Sequence, residues 1–139
     1  MRILGVDWGD KKMGVAISDP MNIIARGIGV FYGGEKEKIE KLKEIVERFN
    51  VELIVLGFPL SLSGEIGKQA EKILKVKEKI EATLKIRVEL VDERFTTKIA
   101  NTPIFKSKNN KVRKARKKTL DDDTSSAIII LNTYLERMR

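Results

Sequence analysis

The sequence predicts a mixed α/β domain: one five-stranded sheet, three antiparallel strands leading into parallel ones, with helices on both faces. Three observations carry this. Three short strand-like segments are joined by tight turns in residues 2–31. The apolar period then changes to three and four residues, the spacing of an amphipathic helix. Residues 51–59, VELIVLGFP, form a nearly continuous apolar run, as expected for a parallel strand covered on both faces.

The elements follow in order. Residues 2–7 read as a strand, DWGDKK as a turn, residues 13–18 as a second strand and DPMN as a second turn. Residues 25–31 form a third strand, loosened by Gly27 and Gly29. Such short connections make these strands antiparallel neighbours. In residues 35–49, Ile39, Leu42, Ile45, Val46 and Phe49 recur at helical spacing. Residues 51–59 are the fourth strand. Residues 65–84 are a second helix, with Ile66, Ala70, Ile73, Leu74, Ile80 and Leu84 on one side. Residues 87–95, RVELVDERF, are a fifth strand ending in acids. A short helix is expected from Thr96, then Pro103 and a basic segment. A last helix starts near residue 121 with three acids, where the helix dipole favours negative charge. No internal repeat, linker or second domain is evident, so residues 1–139 read as a single domain.

Composition narrows the chemistry. The chain contains no cysteine and no histidine. Disulfides, Cys/His zinc sites and Ser-His or Cys-His nucleophiles are therefore excluded. Catalysis in this chain would run on carboxylates, lysines, hydroxyls or a hard oxygen-bound ion such as magnesium or manganese. No apolar run nears the roughly 18 residues of a membrane span, and the first residues lack the pattern of a signal peptide. No membrane partner is expected, and the expected location is the cytoplasm.

The net charge is +8 and the charge is unevenly spread. Residues 106–118, KSKNNKVRKARKK, hold eight basic residues and no acid. Setting those eight aside leaves 20 basic against 20 acidic residues. A local excess of this kind fits a polyanionic partner such as nucleic acid. The segment at about 104–118 has almost no aromatic content, so it would read phosphates and not bases. It is expected to stay mobile until nucleic acid binds.

The acids fall at the places where an open α/β sheet binds ligands, the carboxyl ends of its strands. Asp7 ends the first strand, Asp92 and Glu93 lie near the end of the fifth, and Asp121, Asp122 and Asp123 open the last helix. A convergent cluster of carboxylates repels itself, and one or two divalent ions resolve the repulsion. Two such ions can activate water and stabilise the leaving oxygen of a phosphodiester without any histidine.

Four segments together resemble the YqgF (RuvX) family of RNase H-like nucleases. GVDWGDKKMGVAISDP is similar to its opening motif, VLGFPLSLSGEIGKQA to its middle glycine-containing loop and following helix, VELVDERFTT to its V-D-E-R-x-T-T strand end, and DTSSAIIILNTYLE to its last helix. The resemblance spans nearly the whole chain in the same order. It implies an RNase H-like fold and a metal-dependent endonuclease using Mg2+ or Mn2+. Its implied role is processing the 5′ end of pre-16S rRNA, with Holliday junction resolution or non-catalytic ribosome assembly as alternatives. Carried over by position, the acidic triad is Asp7, Glu93 and Asp123. Asp123 is preferred to its two neighbours because it alone precedes T-S-S-A-I-I-I-L in register. Candidate nucleic-acid contacts are Lys11, Lys12, Arg94, Lys111, Arg113, Lys114, Arg116 and Lys117. Structured RNA is the favoured partner, branched DNA the second, and ribosomal precursor particles a further one; the chain is expected to be a monomer or weak dimer. The opening D-x-G pattern also resembles a phosphate motif of actin-like ATPases, but those proteins use two such lobes and the chain carries one copy.

Overall fold

The structure, a computed structural model, describes residues 2–59, 66–92 and 124–138. Five strands, β1 (Arg2–Trp8), β2 (Lys12–Ser18), β3 (Ala25–Tyr32), β4 (Val51–Phe58) and β5 (Arg87–Asp92), form one sheet in the order β3-β2-β1-β4-β5. β1, β2 and β3 pair antiparallel, whereas β4 pairs parallel to both β1 and β5. The described helices are α1 (Glu35–Phe49), α2 (Lys68–Leu84) and α3 (Ser125–Met138). The three parallel strands therefore send their carboxyl ends to one edge of the sheet, with β4 between β1 and β5.

Strand alternation sorts side chains onto two cores. Leu4, Val6, Met13, Val15, Ile54 and Leu56 pack with Leu42 and Ile45 of α1 and Ile73 and Ile80 of α2. Ile3, Ala16, Leu53, Val55 and Val91 pack with Ala127, Ile130, Leu131 and Leu135 of α3. Each helix buries one face. Helix α1 stops at Asn50, whose left-handed backbone (φ 53°) returns its N–H to the Val46 carbonyl.

α3 crosses the strands along one row of residues. The register aligns Gly27, Ala16, Gly5, Val55 and Glu89 across β3, β2, β1, β4 and β5. A register shift between Val15 and Ala16 keeps Gly27 opposite Ala16. Thr124, just ahead of α3, rests on Gly27, and Ala127 and Leu131 rest on Gly5. Tyr134 gives its hydroxyl hydrogen bond to Glu89. The small residues let the helix lie directly on the backbone. A Cβ on Gly5 would sit 2.7 Å from Leu131 Cβ and 2.9 Å from the Ala127 carbonyl. One on Gly29 would meet only Phe31, at 3.5 Å. Gly5→Ala is thus expected to cost about 1–3 kcal/mol through overpacking. Gly29→Ala should be neutral or mildly stabilising. Denaturant unfolding of the two variants checks the contrast.

At the other end of the sheet the β2–β3 connection is preorganised. Ser18 Oγ accepts the Ile3 N–H (2.9 Å) and donates to Asn22 Oδ1 (2.7 Å). The Asp19 carboxylate accepts backbone N–H groups from Ile23 (2.7 Å), Ile24 (2.8 Å) and Met21 (3.3 Å). These bonds, that from Ile24 foremost, hold its pKa below the ordinary carboxylate value. The folded state therefore gains stability above the ordinary value and loses it as pH falls through the lowered one. Asp19→Asn should lower the melting temperature by a few degrees at neutral pH, and the difference should shrink in acid.

Most predicted boundaries agree with the observed ones within two residues. The exceptions are the start of the last helix, expected near residue 121 and found at Ser125, and the start of α2. Ile66 was expected on the buried side of a helix from residue 65, but it precedes the helix and is exposed; Gly67 takes the N-cap position. Leu74 is also exposed, and Val76 is buried in its stead. The buried positions Ala70, Ile73, Val76 and Ile80 follow a tighter stripe than the expected one. The end of the fifth strand beyond Asp92, the short helix expected from Thr96, the basic segment and residues 121–123 lie outside the described residues. Among the described residues, no helix is long and apolar enough to cross a membrane.

Candidate functional site

Asp7 lies near the carboxyl end of β1, where it pairs with Gly14 of β2. Alternation fixes its side. Leu4 and Val6 belong to the α1/α2 core, while Ile3 and Gly5 face α3, so Asp7 shares the α3 face. It stands one same-face position beyond Gly5, between the crossing helix and the carboxyl edge. Asp7 is half-buried. Burial pushes its carboxyl pKa above the ordinary value of 3.8, and the charge of Lys12 partly opposes this. Desolvation disfavours the ionised form, so this carboxylate is one that a nearby cation would stabilise.

Lys12 has the same parity as Gly14 and Ala16 of β2, which places it on the face that Asp7 occupies. A cation there, beside a carboxylate and at the strand edge, can meet a phosphate. Lys11 sits in the exposed β1–β2 turn, and its carbonyl accepts the Gly33 N–H at 2.9 Å.

At the end of β5, alternation separates two adjacent acids. Val88 and Leu90 belong to the α1/α2 core and Val91 to the α3 core. Asp92, the last described residue of β5, therefore falls on the side opposite Asp7. Glu93 is the next residue in sequence and lies outside the described residues. The same is true of Asp123, Arg94, Lys111, Arg113, Lys114, Arg116 and Lys117. Thr124, directly after Asp123, is described and packs on Gly27 of β3. Among the described residues no three acids come together as a metal site. Chemically, Asp7 fits a hard divalent ion: it is an oxygen donor, partly desolvated, with a raised pKa.

Two features escaped the sequence reading. Lys38 of α1 is buried and reaches the turn that follows Asp7; its signal was its place one turn before Leu42 on the apolar stripe of α1. Glu89 and Tyr134 join β5 to α3, and Arg87 Nη2 adds a 2.8 Å contact to Glu89; nothing local in the sequence marks that pair. A groove of about 540 Å³ also lies beside β5, lined in part by Lys77, Leu90, Tyr134 and Arg137. Asp7 is not among its lining residues.

The sequence profile described as "RuvX: Holliday junction resolvase" matches residues 1–137. A candidate pre-16S rRNA nuclease of Dictyoglomus thermophilum is 40% identical over 137 residues, covering 98% of this chain and 96% of that protein. One from Clostridium kluyveri is 41% identical over 139 residues, covering 99% and 98%. Among solved structures, Thermus thermophilus RuvC in complex with Holliday junction substrate is similar in fold, with a TM-score of 0.63 at 15% identity over 99% of this chain and 96% of that one. The fowlpox virus Holliday junction resolvase gives 0.54 at 16% identity, covering 99% of both chains.

Proposed function

The chain belongs to the RuvX family, and on that premise we propose that it is a metal-dependent endonuclease that processes the 5′ end of pre-16S rRNA. The observation that carries this reading is Asp7: a partly desolvated carboxylate near the carboxyl end of β1, on the face that α3 crosses, with Lys12 beside it. Glu93 follows the last described residue of β5, the parallel strand beyond β4, and Asp123 precedes in sequence the helix that lies over Gly5. In this reading Asp7, Glu93 and Asp123 would hold Mg2+ or Mn2+. When bound, such an ion supplies Lewis-acid stabilisation of a phosphodiester under attack by water. The chain's own residues do the remainder. The three carboxylates fix the ion. Lys12 and Lys11 orient the phosphate at the cut, assisted by Arg94. Lys111, Arg113, Lys114, Arg116 and Lys117 hold the backbone farther away. In this reading the domain spans residues 1–139 and acts in the cytoplasm on ribosomal precursor particles.

RNA is favoured over DNA because the relatives near 40% identity are named for pre-16S rRNA. The neighbours named for Holliday junctions lie below 20% identity and speak to fold alone. The family description supports a second reading, cleavage of branched DNA. Both are tested by incubating a precursor rRNA 5′ segment and a four-way DNA junction with the protein in manganese or in EDTA. Manganese-dependent cutting of the RNA is the expected result. Preferred cutting of the junction would establish the second reading. Tight RNA binding with no cutting would make the protein an assembly factor.

A further inference from the structure

Among the described residues, Lys38 is the one charged residue type that is buried, at 2% exposure. It sits at the start of the apolar stripe of α1, beside Ile39 and one turn before Leu42. Its ammonium donates to the carbonyls of Gly9 and Asp10, the latter at 3.3 Å, and lies 4.1 Å from the centre of the Trp8 ring. Burying an ammonium is costly unless its hydrogens find acceptors; two carbonyls and an aromatic face supply them. The same desolvation pushes the Lys38 pKa below its ordinary value, while Asp10 and Glu35 draw it back.

The segment it grips is the β1–β2 turn, which begins at Gly9, two positions after Asp7. Gly9 N–H donates to the Lys12 carbonyl at 2.8 Å and closes that turn. Lys72 of α2 reaches Asp10 Oδ1 at 3.4 Å, an exposed contact of little weight. Alternation puts Trp8 and Lys38 on the α1/α2 side of the sheet and Asp7 and Lys12 on the α3 side. The clamp thus acts through the backbone, from behind the site. Only Trp8 separates Asp7 from Gly9, and the Lys12 carbonyl accepts the hydrogen bond that closes the turn. Movement of the turn changes how Asp7 and Lys12 stand to one another.

We propose that Lys38 is a positioning residue for the reaction at Asp7: by holding Trp8, Gly9 and Asp10 from the opposite face, it fixes the relative placement of Asp7 and Lys12. This rests on the reading of Asp7 as a catalytic acid. A methionine at position 38 would preserve apolar volume and remove the donor; the Gly9 and Asp10 carbonyls it leaves belong to a partly exposed turn, where water can take the place of the ammonium. An arginine would restore donors to the turn.

The test compares wild type, Lys38→Met, Lys38→Arg and Asp7→Asn by cleavage kinetics, RNA affinity in EDTA, melting temperature, Mn2+ affinity and the emission of Trp8, the only tryptophan in the chain. Lys38→Met should stay folded, melting within a few degrees of wild type, and bind RNA with unchanged affinity. Its Trp8 emission should shift, and its kcat should fall about 10- to 100-fold, the scale of a small misplacement of reacting groups. Lys38→Arg should regain part of kcat. A folded Lys38→Met protein with wild-type kcat overturns the proposal. So does one whose only change is a lower melting temperature. If wild type cleaves nothing, the nuclease reading fails, and Mn2+ affinity then decides on Lys38: weaker binding in Lys38→Met supports the positioning role, and unchanged or undetectable binding ends it.

Discussion

Asp7→Asn should slow metal-stimulated cleavage by about three orders of magnitude and at the same time make the metal-free protein more stable. Both effects have one cause. Burial raises the pKa of Asp7, so an ionised Asp7 costs the folded state free energy that it does not cost the unfolded chain. The cost is absent in acid, where both states hold the proton. It enters as pH rises through the ordinary carboxylate value and is complete above the raised folded value. Asparagine keeps the shape and removes the charge, so the variant should melt a few degrees higher in EDTA at neutral pH and lose that advantage in acid. With saturating Mn2+ the order should reverse. Wild type gains about 2.7 kcal/mol when the ion is at a hundred times its dissociation constant, and the variant gains little. Losing several kcal/mol of charge stabilisation at the reacting phosphate corresponds to a cleavage rate about 10³-fold lower. Scanning calorimetry in EDTA and in Mn2+, beside single-turnover cleavage, checks each part.

The second large effect concerns the basic segment. Its eight cations carry the whole net charge of the chain. Replacing Lys111, Arg113, Lys114, Arg116 and Lys117 by glutamine should weaken RNA binding by orders of magnitude at moderate salt, because each phosphate contact releases condensed counterions. The slope of log affinity against log salt should flatten by about 3.5–4.5 if all five residues meet phosphates. Because the acids are untouched, kcat at saturating RNA and low salt should stay near wild type, with the loss appearing in KM. Filter binding across a salt series tests this; a wild-type slope in the five-fold variant would remove the segment from the interface.

How far the sequence disclosed this molecule differs from place to place. The strands were legible because their alternation and turns are local. The run from Ile3 to Val6 closing on Asp7 marked a strand that delivers an acid to an edge, and the structure puts Asp7 there. The start of α2 was misread because Ile66 falls in helical phase with Ala70 and Ile73, while Gly67, which stands outside the helix, ends that phase physically. Lys38 was passed over because a pattern of apolar and polar residues counts lysine as surface. Its long stem can instead carry the charge through the core face to carbonyls 28 and 29 residues away. The row Gly27, Ala16 and Gly5 under α3 was invisible for a different reason. It exists only once the register shift between Val15 and Ala16 is known. The choice between Asp92 and Glu93 gains support from the alternation of β5, since Asp92 falls on the side away from Asp7. Glu93 and Asp123 themselves lie outside the described residues and stand as proposed ligands.

The most direct test of the central claim, that Asp7, Glu93 and Asp123 act as one metal site, is titration calorimetry with Mn2+ on wild type and on Asp7→Asn, Glu93→Gln and Asp123→Asn, with Asp92→Asn as the control from the opposite face. A single shared site predicts that each of the three substitutions weakens Mn2+ binding strongly and that Asp92→Asn leaves it unchanged. Unaltered binding in Glu93→Gln or Asp123→Asn would contradict the shared site.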